Sequence, residues 1–219
     1  MSRFLIYGAT GYTGQLTAEH AVALGLRPVL AGRNREKLRA LAQRLGLEWR
    51  VFGLESAAQV RKGLEGVTAV LHTAGPFSAT SQPMADACLS VGVHYVDITG
   101  EIDVFEALAT RDAESRAAGV MLLPGAGFDV VPSDCLAAHV KARLPTATRL
   151  RLSVGGLGSM SRGTAKTAVE AITRGTRVRR GGRLVELQDP PRATADFGDG
   201  PKPTIAVSWG DIATAWHST

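Results

Sequence analysis

The sequence predicts an α/β fold: a doubly wound parallel sheet, followed by part of a second α/β domain with a mixed sheet. Three observations carry that expectation. Short apolar runs alternate with helical patterns through the first half of the 219 residues, which is the mark of repeated strand–helix–strand units. A glycine-rich turn joins the first apolar run to the first helical pattern. Beyond Pro124 the texture changes to longer strands joined as hairpins.

The elements follow in order. Arg3–Tyr7 is a strand. Thr13–Leu24 carries Leu16, Ala18, Ala21, Val22 and Leu24, a helix stopped by Gly25. Pro28–Ala31 is a second strand, with proline tolerable at its start. Arg35–Leu45 sets Leu38, Leu41, Ala42 and Leu45 on one helical stripe. Strands Glu48–Phe52, Ala69–Thr73, His94–Ile98 and Val120–Leu123 alternate with helices Ala57–Leu64, Pro83–Val91 and Asp103–Ala118. Right-handed crossovers then cover both faces of one sheet, and a first domain spans residues 1–124. Residues 125–219 form the second, partial domain. It is read as a helix at Ser133–Leu144, strands at Arg149–Val154, Arg177–Arg180, Arg183–Leu187 and Thr204–Ser208, and a helix near Thr164–Thr173.

Composition narrows the class. Apolar residues are 45% and charged residues 21%, which suits a globular chain and excludes disorder as the main state. The two cysteines, Cys88 and Cys135, form neither a disulfide framework nor a Cys-x-x-Cys metal or redox site. Neither a signal peptide nor a run of ~20 apolar residues is present, so a cytoplasmic, soluble protein without a transmembrane segment is expected. The net charge is +5, yet its densest cluster (Arg174, Arg177, Arg179, Arg180, Arg183) has no interleaved aromatic residues. A stacking platform for nucleic acid is unsupported, and a solvated hairpin is the simpler reading.

The chemistry begins at Gly8-Ala9-Thr10-Gly11-Tyr12-Thr13-Gly14, between the first strand and the first helix. Gly8 allows the sharp turn, Gly11 lets backbone approach a pyrophosphate, and Gly14 lets the helix pack close to the strand. The helix N-terminus then offers free amides and a positive dipole end, with Thr10, Tyr12 and Thr13 lining it. In this context the motif predicts a dinucleotide-binding Rossmann domain. The second strand ends in Ala31-Gly32-Arg33-Asn34-Arg35, where an NAD-binding domain usually places an acid. A guanidinium at Arg33 instead grips a 2′-phosphate, with Asn34 beside it. The cofactor expected is therefore NADP(H). Ala74-Gly75-Pro76-Phe77, after the fourth strand, borders the same crevice on the nicotinamide side.

The acid–base chemistry is less sharply marked. Asp97 and Glu101, in Val96-Asp97-Ile98-Thr99-Gly100-Glu101, stand near a strand end and are catalytic candidates. Their structural alternatives are a turn role and a helix-start role. Asp129, in the segment Pro124–Asp134 that leads from one domain to the other, is a third candidate. No Tyr has Lys four residues later, and neither His-Glu-x-x-His nor Gly-x-Ser-x-Gly occurs. These absences exclude short-chain dehydrogenase, zinc and serine-hydrolase chemistry, and no metal site is expected. His72, in a strand, is read as a satisfied core residue.

Taken in order, Gly8–Gly14, Ala31-Gly32-Arg33, Ala74–Phe77, His94–Glu101 and Pro124–Asp134 resemble the saccharopine dehydrogenase-like oxidoreductases, in particular the bacterial trans-acting enoyl reductase branch. Ser161-Arg162-Gly163-Thr164, Asp196–Pro201 and Trp209-Gly210-Asp211 are similar too. The resemblance implies an NADP-binding Rossmann domain and a mixed-sheet second domain that in relatives often forms a homodimer. It also implies hydride transfer to a carbonyl, imine or activated alkene of a small-molecule or acyl-chain substrate. Two departures stand out. Arg162 replaces a glycine of the family's Ser-Gly-Gly-Thr, and relatives continue well past Thr219, so the second domain is expected to be incomplete. The rival reading is a non-catalytic NADP(H)-binding module or sensor.

Overall fold

Phe4–Tyr7 (β1) is the apolar run around which the rest is arranged. The computed structural model describes residues 3–155 and 175–219. In it, β1 pairs in parallel with Val29–Gly32 (β2) on one side and Ala69–His72 (β4) on the other. Trp49–Val51 (β3) lies beyond β2, and His94–Asp97 (β5) and Leu122–Leu123 (β6) lie beyond β4. The order β3-β2-β1-β4-β5-β6 is that of a doubly wound dinucleotide-binding sheet, with its switch point between β1 and β4. All four residues of β2 are buried, as expected of a strand covered on both faces.

Helices Tyr12–Ala23 (α1), Arg35–Leu45 (α2), Ala57–Gly63 (α3) and Phe77–Val91 (α4) link the successive strands. Ile6 and Leu30 from the sheet pack with Ala18 of α1 and with Leu38, Leu41 and Ala42 of α2. The α2 stripe read from the sequence is thus core. Arg35 starts α2, and its guanidinium lies 5.9 Å from the centroid of the Trp49 ring.

Two helices differ from expectation. α4 starts at Phe77 and carries Pro83 inside it, where the sequence places a helix start. Burial of Phe77, Ser81, Met84, Ala85 and Cys88 outweighs the one backbone bond that proline removes. The long helix expected over Asp103–Ala118 is two: Ile102–Ala109 (α5) and Asp112–Ala118 (α6). At the break, the Thr110 hydroxyl donates to the Ala107 carbonyl (2.7 Å), a side-chain bond that competes with helical continuation. Arg111 there pairs with Asp86 and Glu114.

The chain divides into two units, residues 1–99 with 106–126, and residues 100–105 with 127–219. The second unit thus takes a short stretch from inside the first domain expected at 1–124. It holds Val131–Arg143 (α7), the antiparallel pair Thr176–Arg180 (β7) and Arg183–Leu187 (β8), the antiparallel pair Arg192–Asp196 (β9) and Pro201–Ile205 (β10), and Asp211–Ser218 (α8). The sequence predicts a mixed sheet here; among the described residues the strands form these two separate pairs. The expected strand Arg149–Val154 is irregular and largely exposed. The strand expected at Thr204–Ser208 lies three residues earlier, and β9 has no counterpart in the sequence reading. The helix near Thr164–Thr173 and the Ser161–Thr164 motif lie outside the described residues.

A small core closes this unit: Ile102, Phe105, Val130 and Ala213, with Leu184 and Ile212 against them. Asp134 on α7 accepts hydrogen bonds from Thr214 (3.0 Å) and Ser218 (2.9 Å) on α8. No helix among the described residues is long and apolar enough to cross a membrane.

Candidate functional site

The loop between β1 and α1 hangs from the end of β2: the amides of Gly8 and Ala9 both donate to the Ala31 carbonyl (2.9 and 3.1 Å). Gly8 has φ +85°, and a Cβ there would stand 2.9 Å from Ala74 Cβ. Both the conformation and the closeness of the chain leaving β4 demand glycine. At Gly14 a Cβ would come 2.3 Å from the Gly8 carbonyl oxygen, so α1 rides directly on the turn. Gly11 sits at the N-cap with no side-chain cap, and no acid occupies the first turn. The first amides of α1 are therefore unfilled by the chain itself, beside a positive dipole end. Tyr12 and Thr13 are exposed there and Thr10 is half-buried.

Arg33 follows β2, exposed, and makes no hydrogen bond or ion pair among the described residues. Asn34 is engaged locally: its side-chain oxygen accepts from the Lys37 amide (2.9 Å), capping α2. Tyr7 lies below. Its hydroxyl donates to the Phe52 carbonyl (3.2 Å), and burial pushes it up to about 12, with Arg33 pulling down and Glu55 pushing up.

On the other side of the switch point, Ala74-Gly75-Pro76-Phe77 leaves β4 with a cis Gly75–Pro76 bond. The Thr80 hydroxyl lies 2.7 Å from the Ala74 carbonyl and 3.1 Å from that of Pro76, and 3.0 Å from His72 Nε2. A hydroxyl that donates to a carbonyl must accept from His72, so Nε2 carries the ring proton. The imidazole is buried against Tyr7, Tyr95 and the edge of Phe77. Burial lowers it to about 3, so the ring is neutral. Its Nδ1 has no partner among the described residues, which the sequence reading of a satisfied histidine misses. The buried Phe77 ring is a prop for the loop.

The three carboxylate candidates divide. Asp97 is fully buried. Its oxygens accept from Tyr95 Oη (2.6 Å), the Thr99 amide (2.9 Å) and the Gly125 amide (2.8 Å). It clamps the loops after β5 and β6, the turn role weighed against catalysis. Glu101 stands at the start of α5, its carbonyl accepting from the Val104 amide (3.0 Å). Asp129, in the second unit, lies against Gly100, where an added Cβ would meet Oδ2 at 3.2 Å. Its backbone carbonyl accepts from the Trp209 indole, and desolvation raises the carboxyl above its ordinary range. Asp211, not among the sequence candidates, is buried nearby in the same unit and accepts from Ser133 (2.9 Å). Only the family-like Trp209-Gly210-Asp211 motif signalled it. The same Ser133 hydroxyl also lies within hydrogen-bond distance of the Val130 carbonyl (3.1 Å).

A strand-order switch and a glycine cradle on a bare helix end define the class, a dinucleotide-binding domain, with an exposed arginine after β2. Residues 4–123 match the family described as the saccharopine dehydrogenase NADP binding domain. The chain belongs to that family, and its cofactor is NADP(H). It is 36% identical over 140 residues to the trans-acting enoyl reductase of Mycobacterium tuberculosis, covering 59% of this chain and 33% of that one. To the trans-acting enoyl reductase of Mycobacterium ulcerans it is 28% identical over 229 residues, covering 95% and 54%. The chain thus spans between a third and about half the length of these relatives. Among solved structures, apo saccharopine dehydrogenase (L-Glu forming) from Saccharomyces cerevisiae matches with a TM-score of 0.56 at 15% identity, over 65% of this chain and 31% of that one. That likeness is one of fold.

Proposed function

We propose that the chain serves an NADP-dependent oxidoreductase that reduces an activated alkene of the enoyl type. The observation that carries the nucleotide half is the uncapped, acid-free N-terminus of α1 beside the unpaired Arg33. Gly8, Gly11 and Gly14 would hold the pyrophosphate against the first amides of α1, and Arg33 would take the 2′-phosphate. The Ala74–Pro76 backbone, braced by Thr80, borders the nicotinamide side. Bound NADPH supplies a hydride; the protein orients it and keeps water away. The substrate class rests on the relatives' name, and a carbonyl or imine is the alternative acceptor.

Reducing an activated alkene also takes up a proton. Of the three carboxylates weighed from the sequence, Asp129 is the proposed holder of that proton, because desolvation favours its neutral form. Asp97, its oxygens occupied, is left with the structural role.

The test is calorimetric titration with NADPH and NADH, repeated on Arg33→Ala. Wild type should prefer NADPH, and the variant should lose roughly tenfold to a hundredfold in NADPH affinity with NADH unchanged, the scale of a lost charge-assisted pair. An unchanged ratio would reject the 2′-phosphate assignment. NADPH consumption with an enoyl thioester would separate the enzyme from a binding module.

A further inference from the structure

A buried histidine lies beneath the loop after β4, outside the glycine cradle. We infer that His72 is a positioning residue for the nicotinamide half of the dinucleotide, acting through Thr80 on the Ala74–Pro76 loop. The inference rests on the dinucleotide reading above. In a doubly wound sheet the two mononucleotide halves lie on either side of the switch point. With the adenosine half over β1, β2 and β3, the other half falls to the loops after β4 and its outer neighbours. Ala74–Pro76 is the loop that meets the cradle, since a Cβ on Gly8 would stand 2.9 Å from the Ala74 amide nitrogen.

The loop is fixed at three points. The Thr73 amide and hydroxyl both donate to the Tyr7 carbonyl (2.8 and 2.9 Å), which ties its root to β1. Ala74 abuts Gly8. The third point is the Thr80 hydroxyl, 2.7 Å from the Ala74 carbonyl and 3.0 Å from His72 Nε2. A hydroxyl has one proton. With Nε2–H donating to its oxygen, that proton is turned to the loop, to Ala74 first and to Pro76 at 3.1 Å. His72 thus sets the direction of the bond that holds the loop. Gly75, between the two braced carbonyls, is exposed, so the held loop meets solvent. Stability alone does not ask for an imidazole here. The ring is wholly buried among Tyr7, Phe77 and Tyr95, and its Nδ1 finds no partner among the described residues. An unmet buried acceptor is a standing cost, which a phenyl ring would not carry. What the imidazole adds is the Nε2 donor, and its partner is Thr80. A local rule broken for one such return is the mark of a place held for function rather than for packing.

The experiment is calorimetric binding of NADPH and of 2′-phospho-ADP, which lacks the nicotinamide half, to wild type, His72→Phe, His72→Gln and Thr80→Val, with thermal melting of each. His72→Phe should bind NADPH about tenfold more weakly, the scale of one lost hydrogen bond. It should bind 2′-phospho-ADP within about twofold of wild type and melt no lower. His72→Gln, whose amide donates from the place of Nε2, should return NADPH binding to within about threefold of wild type. Thr80→Val leaves Nε2–H without an acceptor, so it should melt lower and show the same selective loss. Unchanged NADPH affinity in either His72→Phe or Thr80→Val overturns the role of His72 and leaves the nucleotide site standing. A loss shared equally by both nucleotides also overturns it, by making His72 a core residue alone. So does a glutamine variant that melts like wild type yet binds NADPH no better than the phenylalanine one, since the ring and not its donor would then matter. Wild type that binds neither nucleotide overturns both readings.

Discussion

The N-termini of α1 and α2 are finished in opposite ways. α2 is closed: Asn34 caps the Lys37 amide and Glu36 sits in the first turn. α1 is open: glycine holds the cap position, no side chain bonds the free amides, and no acid faces the dipole. Glycine at the cap position, in place of a capping side chain, costs a helix only about a few tenths of a kcal/mol. Two helices of one mononucleotide half thus receive different treatment, and on the proposed reading the open end is the one kept for an anion. α2 is a structural helix with its ends settled; on the same reading α1 would be settled by an arriving phosphate.

That contrast can be broken at three points. The largest effect is expected from Gly14→Ala, whose Cβ would meet the backbone oxygen of Gly8 at 2.3 Å. Backbone must move, the turn parts from α1, and NADPH affinity should fall by about a hundredfold or more, equivalent to the few kcal/mol of a core backbone clash. A titration within threefold of wild type would show that close packing is not what shapes the cradle. Next comes Thr13→Asp, which gives α1 the acid it lacks. Helix stability should rise by a few tenths of a kcal/mol, while NADPH should bind about tenfold more weakly, an effect that added salt reduces. Melting and titration moving in the same direction would contradict the assignment. The smallest change is Asn34→Ala, worth about 1 kcal/mol of folding stability with NADPH affinity held within about twofold. If affinity instead drops as far as for Arg33→Ala, Asn34 touches the nucleotide and the cap is secondary.

The first unit was readable because its signals are local. Alternating runs give the strands, a 3.6-residue stripe gives α2, and the glycine spacing gives the cradle. Pro83 misled because proline weighs heavily in a local reading, yet the burial that overrides it is tertiary. The break between α5 and α6 hid for a similar reason, since Thr110 is an ordinary helix residue until its hydroxyl turns back on a carbonyl. The second unit was read less well. Its strands are half-exposed hairpins with little apolar bulk, so β9, which alternates only alanine with polar residues, went unseen and Arg149–Val154 was overread. Within the candidate site, the close packing at Gly8 and Gly14 was legible from the motif's spacing. The unpartnered Nδ1 of His72 was not, because only folding shows what surrounds that ring.

The grouping of residues 100–105 with 127–219 has a consequence in time. Ile102 and Phe105 are buried in a small core that also needs Val130 and Ala213. On a ribosome adding about 5–20 residues per second, Ala213 appears roughly 5–20 s after Phe105. For that interval the two side chains stand without the helix that completes their cover. The start of α5 is thus made early and buried late, a stretch of apolar chain that a holdase would find before its own partners do.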